Sequence, residues 1–170
     1  WMSLAAQFLH AAVNTSRPGD EDIMKRAREL HDRIITIDTH VDFETDLATP
    51  ERNPGIRLSN QRVDLVKMAE GGLDAVFFAV YVGQEELSEE SYRKAYDHAM
   101  AKFAAVHRMC AAYSADRVEL ALSPEDIPRI KKTGKRIALI GVENGFSIGE
   151  DMRNLRYFYN LGARYLTITH

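Results

Sequence analysis

The sequence predicts a parallel α/β fold of about four βα units, half the complement of a (β/α)8 TIM barrel. Three observations predict it. Apolar stretches of strand length alternate with helix-period segments along the 170 residues, an order that implies right-handed crossovers and a parallel sheet. The stretches are nearly unbroken in their apolar character, as in strands covered on both faces. Three of the four end in histidine or acidic residues, at the strand ends where barrel enzymes keep their chemistry.

Taken in order, the polar stretch Asn14–Asp22 precedes a helix over about Ile23–His31. Ile34, Ile35 and Ile37 then predict a buried first strand ending in Asp38-Thr39-His40-Val41-Asp42. A long loop, Phe43–Ser59, carries Pro50, Pro54 and Gly55, and loops of that length in compact domains are usually functional. Gln61–Ala69 predicts a short helix closed by Gly71-Gly72, and Ala75–Val82 a second strand. Ser88 caps a long helix to Tyr113 whose packed stripe is Tyr92, Tyr96, Met100, Phe103, His107 and Cys110. Pro124 opens a further helix ending near Gly134. Arg136–Val142 is the third strand, Asp151–Leu161 a helix stopped by Gly162, and Ala163–Thr169 the fourth strand.

Composition narrows the function. Net charge is −3 with no long basic run, so nucleic acid is a poor partner. The apolar fraction of 45% and charged fraction of 28% suit a globular domain. No segment nears the roughly 18 apolar residues of a membrane span. Cys110, the only cysteine, excludes an internal disulfide and a multi-thiolate zinc site. The mildly apolar Leu4–Val13 reads either as the tail of a signal peptide whose start is missing or as a plain helix. Periplasmic, secreted and cytoplasmic locations therefore all stay open. The chain starts on Trp1 and stops at His170 on an apolar strand, so both ends look cut.

The chemistry gathers at the strand ends. His40 and Asp42 alternate on one strand, so their side chains share a face with Cα atoms about 6.6 Å apart. An imidazole and a carboxylate so placed can converge on a cation such as zinc. Glu143 ends the third strand, on the same rim, where a carboxylate can bridge two metals. His170 closes the fourth strand and could ligate a metal or donate to a substrate carbonyl. Asp38 faces the same way as His40 and reads as the carboxylate that orients it.

A rival overlaps Glu143. Gly145-Phe146-Ser147-Ile148-Gly149 fits the nucleophile-elbow pattern between a strand and a helix, which would make Ser147 the nucleophile of a serine hydrolase. Only Asp151 and His170 follow it as plausible partners, and Glu143-Asn144 loosens the strained turn that the motif needs. A non-catalytic half barrel that binds a metal or pairs with a partner is the third reading. Among the other histidines, His98 and His107 lie on opposite faces of one helix, and His10 and His31 have no visible partners. His107 and Cys110 are three apart, but a buried thiol on an apolar face is the usual structural case.

The segments Ile-Asp-Thr-His-Val-Asp (37–42), Gly-Gly-Leu-Asp-Ala-Val-Phe-Phe-Ala-Val-Tyr-Val (71–82), Ile-Gly-Val-Glu-Asn-Gly-Phe-Ser-Ile (140–148) and Leu-Gly-Ala-Arg-Tyr-Leu-Thr-Ile-Thr-His (161–170) together resemble the membrane (renal-type) dipeptidase family. The resemblance covers most of the chain from about residue 23. It implies an N-terminal extension or linker over 1–22 and, over 23–170, the N-terminal half of a metal-dependent barrel hydrolase. It implies two zinc ions, with His40 and Asp42 ligating one, Glu143 bridging both, and His170 contacting substrate. The implied reaction is hydrolysis of a dipeptide amide, one with a C-terminal D-residue among the candidates, by a metal-bridging hydroxide. Homodimerisation of the complete enzyme is part of the same expectation. The family's two further zinc-ligand histidines, a substrate-binding arginine and a late aspartate fall in the second half of its barrel, after the point where this chain stops.

Overall fold

The computed structural model describes residues 19–170. The expectations for Leu4–Val13, His10 and most of the Asn14–Asp22 linker lie outside those residues. The chain divides into two compact units between Ile34 and Ile35.

The first unit contributes helix α1, Asp20–Arg33. It begins earlier than the apolar spacing predicts, because Asp20, Glu21 and Asp22 fill its first turn, where carboxylates complement the exposed N–H groups. His31 and Arg33 sit in its last turn, the favourable end for cations.

The second unit is a parallel sheet with helices. Strands β1 (Ile37–Asp42), β2 (Ala75–Tyr81) and β4 (Arg136–Glu143) lie side by side. Two short strands share the far side of β4. Strand β3 (Val118–Leu120) pairs with its start, at Arg136–Ala138, and β5 (Ala163–Leu166) with its end, at Ile140–Val142. The sequence pattern misses β3 because three residues are too few to show a period. β5 stops at Leu166, short of the expected Thr169, although Thr167 N–H still donates to the Val142 carbonyl at 3.0 Å.

Helix α2 (Leu65–Gly71) starts later than expected because Asp64, not Gln61, caps it, accepting from the Lys67 N–H at 2.8 Å. Gly72, in the left-handed region at φ 68°, ends it. Helix α3 (Glu89–Arg108) is capped by Ser88 as expected, then widens into a π-helical turn over Met109–Tyr113. Helix α4 (Asp126–Lys132) begins after Pro124, with the Asp126 carboxylate accepting from the N–H groups of Leu122 and Ser123. Helix α5 (Arg153–Asn160) follows the β4 strand end.

The principal core lies where α3 and α5 meet the sheet, around Val76, Val80, Phe103, Val106, Ile140 and Phe158. The long loop after β1 joins this core. Phe43, Leu47 and Ala48 are buried, and Arg108 donates to the Thr45 and Leu47 carbonyls at 2.9 and 3.1 Å.

The expected burial of the first strand fails. Ile35 and Ile37 are exposed and only Val41 of β1 is buried, since β1 is an edge with β2 as its one partner among the described strands.

Strong curvature brings that edge within reach of the opposite one. Tyr165 of β5 lays its ring across Gly141 of β4 and donates its hydroxyl to the Thr39 carbonyl of β1 at 3.2 Å. The Phe77 ring packs beside it at 5.0 Å. A Cβ at position 141 would overlap the Tyr165 ring. Gly141→Ala is therefore expected to lower stability by about 1–3 kcal/mol, the usual cost of overpacking. Adding Tyr165→Leu should recover part of that loss, and denaturant unfolding of the single and double variants checks it. Additive losses would show that the two sites do not interlock.

Candidate metal centre

The C-terminal ends of β1 and β4 deliver three donor groups to one point. β1 carries a register irregularity between Asp38 and Val41, one extra residue against Val76–Phe78 of β2. Such bulges re-aim side chains near functional sites. Beyond it Val41 turns into the core while His40 and Asp42 turn out together, with His40 Nε2 3.3 Å from Asp42 Oδ1. Glu143, the last residue of β4 and opposite Tyr81 of β2, brings Oε2 to 3.2 Å from His40 Nε2. Donor atoms of His40, Asp42 and Glu143 all lie within 4.8 Å of one another. Among the described residues no other cluster of three such side chains is that compact.

These separations suit a bound cation. Nitrogen and oxygen ligands at about 2.0–2.1 Å from a tetrahedral zinc stand about 3.3 Å from each other. The two contacts of His40 match that spacing, and one imidazole with two carboxylates is a donor set that zinc accepts.

His170 reaches the same point from the segment after β5. Its Nε2 lies 3.5 Å from Glu143 Oε1, and its ring packs on Tyr81 at 4.9 Å. Glu143 thus has one carboxylate oxygen toward each imidazole. Its side chain is only 18% exposed, while that of Asp42 is 76% exposed. Asp38 meets His40 through the main chain: its Oδ1 accepts from the His40 backbone N–H at 3.0 Å. It fixes the bulged backbone that aims the imidazole, rather than the ring itself. Negative charge from the rim extends inward. Burial pushes the Tyr165 phenol above its ordinary value, and the charges of Glu143 and Asp42 push the same way.

Asn144 is the functional residue that the sequence pattern passes over as an ordinary turn. It is buried, holds φ at 74°, and ties Glu143 to both flanking strands. Its side chain donates from Nδ2 to the Val82 carbonyl at 3.1 Å, and its Oδ1 accepts from the Phe146 N–H at 3.1 Å. Its own N–H donates to Thr167 Oγ1 at 3.0 Å. An asparagine followed by glycine is the one signal that could have flagged the left-handed backbone.

Ser147 does not behave as a nucleophile. It sits fully buried in a 3₁₀ turn, Gly145–Ile148, and its hydroxyl donates to the Asn144 carbonyl at 3.4 Å instead of meeting an imidazole. His107 donates from Nε2 to the Leu161 carbonyl at 2.9 Å and ties α3 to the end of α5, a core histidine as expected. Burial pushes the Cys110 thiol up to about 12, as befits an inert structural thiol.

Known proteins match this chain over most of its length. The family model for membrane dipeptidases, peptidase family M19, matches residues 24–170. Dipeptidase tcpJ of Claviceps purpurea (strain 20.1) is 30% identical over 152 residues, covering 86% of this chain and 35% of that protein. Dipeptidase 3 of Homo sapiens is 31% identical over 157 residues, covering 89% of this chain and 30% of that protein. The chain thus spans about a third of the length of these curated relatives. Among solved structures, the probable dipeptidase PvdM from Pseudomonas aeruginosa shares the fold with a TM-score of 0.79 at 23% identity, over 88% of this chain and 38% of that one. Dipeptidase AC, a metallo peptidase of family M19, gives a TM-score of 0.66 at 26% identity, over 80% of this chain and 43% of that one.

Proposed function

The chain belongs to the membrane dipeptidase family, peptidase family M19, and from that premise we propose that its strand-end rim is the metal-binding side of a zinc-dependent dipeptidase active site. The observation that carries the reading is the convergence of His40 Nε2, Asp42 Oδ1 and Glu143 Oε2 at ligand spacing, from strands separated by about a hundred residues of chain.

His40 and Asp42 would hold one zinc ion, and Glu143, with an oxygen on each side, would bridge to a second. Zinc held there would supply an activated water and a Lewis acid for the scissile carbonyl. The chain's own groups do the positioning. Asp38 and the β1 bulge hold the His40 backbone, and Asn144 pins the backbone that follows Glu143 to Val82 at the end of β2. His170 Nε2, beside Glu143, would donate a hydrogen bond to the carbonyl of a bound dipeptide. A C-terminal D-residue in that dipeptide is the narrower substrate proposal, carried by the family resemblance alone.

The test is chelation of the active enzyme. Removing metal is expected to abolish dipeptide hydrolysis, and adding back zinc to restore it, with L-Ala-L-Ala and L-Ala-D-Ala compared as substrates. Full activity in a preparation shown by elemental analysis to be metal-free would sink the proposal. A preference for L-Ala-L-Ala would remove only the narrower substrate claim.

A further inference from the structure

Lys102 is the one buried lysine among the described residues, 4% exposed on the packed side of α3. A buried ammonium normally finds a carboxylate. Among the described residues no carboxylate lies within ion-pair distance of Lys102. Its Nζ instead lies over two aromatic rings, 5.1 Å from the Phe43 centroid and 6.0 Å from that of Tyr81.

Those rings flank the metal centre. Phe43 follows Asp42 directly in the chain. Tyr81 stands opposite Glu143 in the sheet and packs against the His170 ring. The ammonium is therefore held by the faces of two rings that neighbour the acidic residues of the rim. Burial draws the Lys102 pKa down, while Glu44, Asp42 and Glu143 act on it in the opposite direction.

We propose that Lys102 is a positioning residue of the metal centre, a fixed positive charge that offsets the rim carboxylates and weakens their hold on divalent cations. The inference rests on the zinc reading of that rim. Without a counter-charge, Asp42 and Glu143 repel each other whenever the cations are absent, and they attract a cation more strongly. Cation–π contacts suit the task, because they hold the ammonium without neutralising it as a carboxylate would. Phe43 and Tyr81 thus keep its charge available to the rim. At an effective dielectric of about 20, a unit charge within about 20 Å of a divalent cation changes binding by about tenfold or more.

The experiment measures zinc affinity of the active enzyme by competition with a chromophoric chelator, for wild type, Lys102→Met and Lys102→Arg. Lys102→Met, similar in length and apolar, should bind zinc at least about tenfold more tightly. Lys102→Arg, which keeps the charge, should stay within about threefold of wild type. Cobalt substitution adds a second readout, since the visible bands of the bound ion should be alike in all three proteins if only charge has changed. Should Lys102→Met fail to fold by circular dichroism, Lys102→Gln takes its place with the same expectation. Equal zinc affinity in wild type and in the uncharged variant would overturn the role of Lys102 and leave the metal centre standing. Failure of wild type itself to bind zinc or cobalt would overturn both.

Discussion

Replacing Glu143 by glutamine in the active enzyme is expected to lower kcat/KM for dipeptides by at least about a hundredfold and to strip bound zinc. The substitution keeps the shape of the side chain and removes its charge. The carboxylate presents Oε2 to His40 and Oε1 to His170, so one change disturbs both sides of the site. An amide offers only one oxygen and turns an NH₂ group toward the other imidazole. Steady-state kinetics with zinc analysis on the purified variant tests this. Ser147→Ala is the companion control and should retain most activity, because that hydroxyl is buried against the Asn144 carbonyl. Near-normal turnover and zinc content in Glu143→Gln, or loss of activity in Ser147→Ala, would reverse the ranking of the two chemistries.

At the opposite ends of the strands, Asp74→Ala is expected to cost about 2–4 kcal/mol of stability. Asp74 is buried just before β2, and its Oδ2 accepts from the Thr36 N–H at 3.0 Å and from Lys131 Nζ at 2.6 Å. Arg136 stands 3.8 Å from its other oxygen. Removing the carboxylate leaves those donors in a half-buried pocket without their acceptor. Burial alone would push the Asp74 carboxyl up, but the hydrogen bonds from Lys131 and Thr36 outweigh it and hold the group below its ordinary value. A depressed folded-state value means that the stabilisation is full above the unfolded value, near pH 3.9, and is lost as pH falls through the folded one. Wild type and Asp74→Ala should therefore differ most above pH 4 and converge in stronger acid. Urea unfolding across pH 2–7 reads that difference, and a constant gap at every pH would contradict it.

The strands and the rim were legible in the sequence for the same reason. Unbroken apolar runs such as Ala75–Val82 and Arg136–Val142 have few structural alternatives, and polar residues at their C-terminal ends fall on one side of a parallel sheet. His40, Asp42, Glu143 and His170 are brought together as that logic requires. Periodicity says nothing about lateral position, which is why Ile35 and Ile37 read as core but lie exposed on an edge strand. Nor does it report single-residue irregularities. The β1 bulge and the left-handed Asn144 are invisible to it, yet they aim two residues of the candidate centre, His40 and Glu143. Lys102 was hidden among the charged residues of α3, since a lysine at a helical position reads as solvent-facing until its neighbours are known.

The division of one side of β4 between β3 and β5 has a mechanical consequence. β2 grips β4 from Ala75 to Tyr81, whereas β3 and β5 each hold only a short stretch of its other side. Amide hydrogens in the β2–β4 ladder should therefore open through the rarest fluctuations, and those of β3 and β5 through much more frequent local ones. Glu143 rides on the slow-opening strand, while His170 hangs from the fast-opening side. The rim thus combines a stiff anchor at Glu143 with a compliant arm at His170.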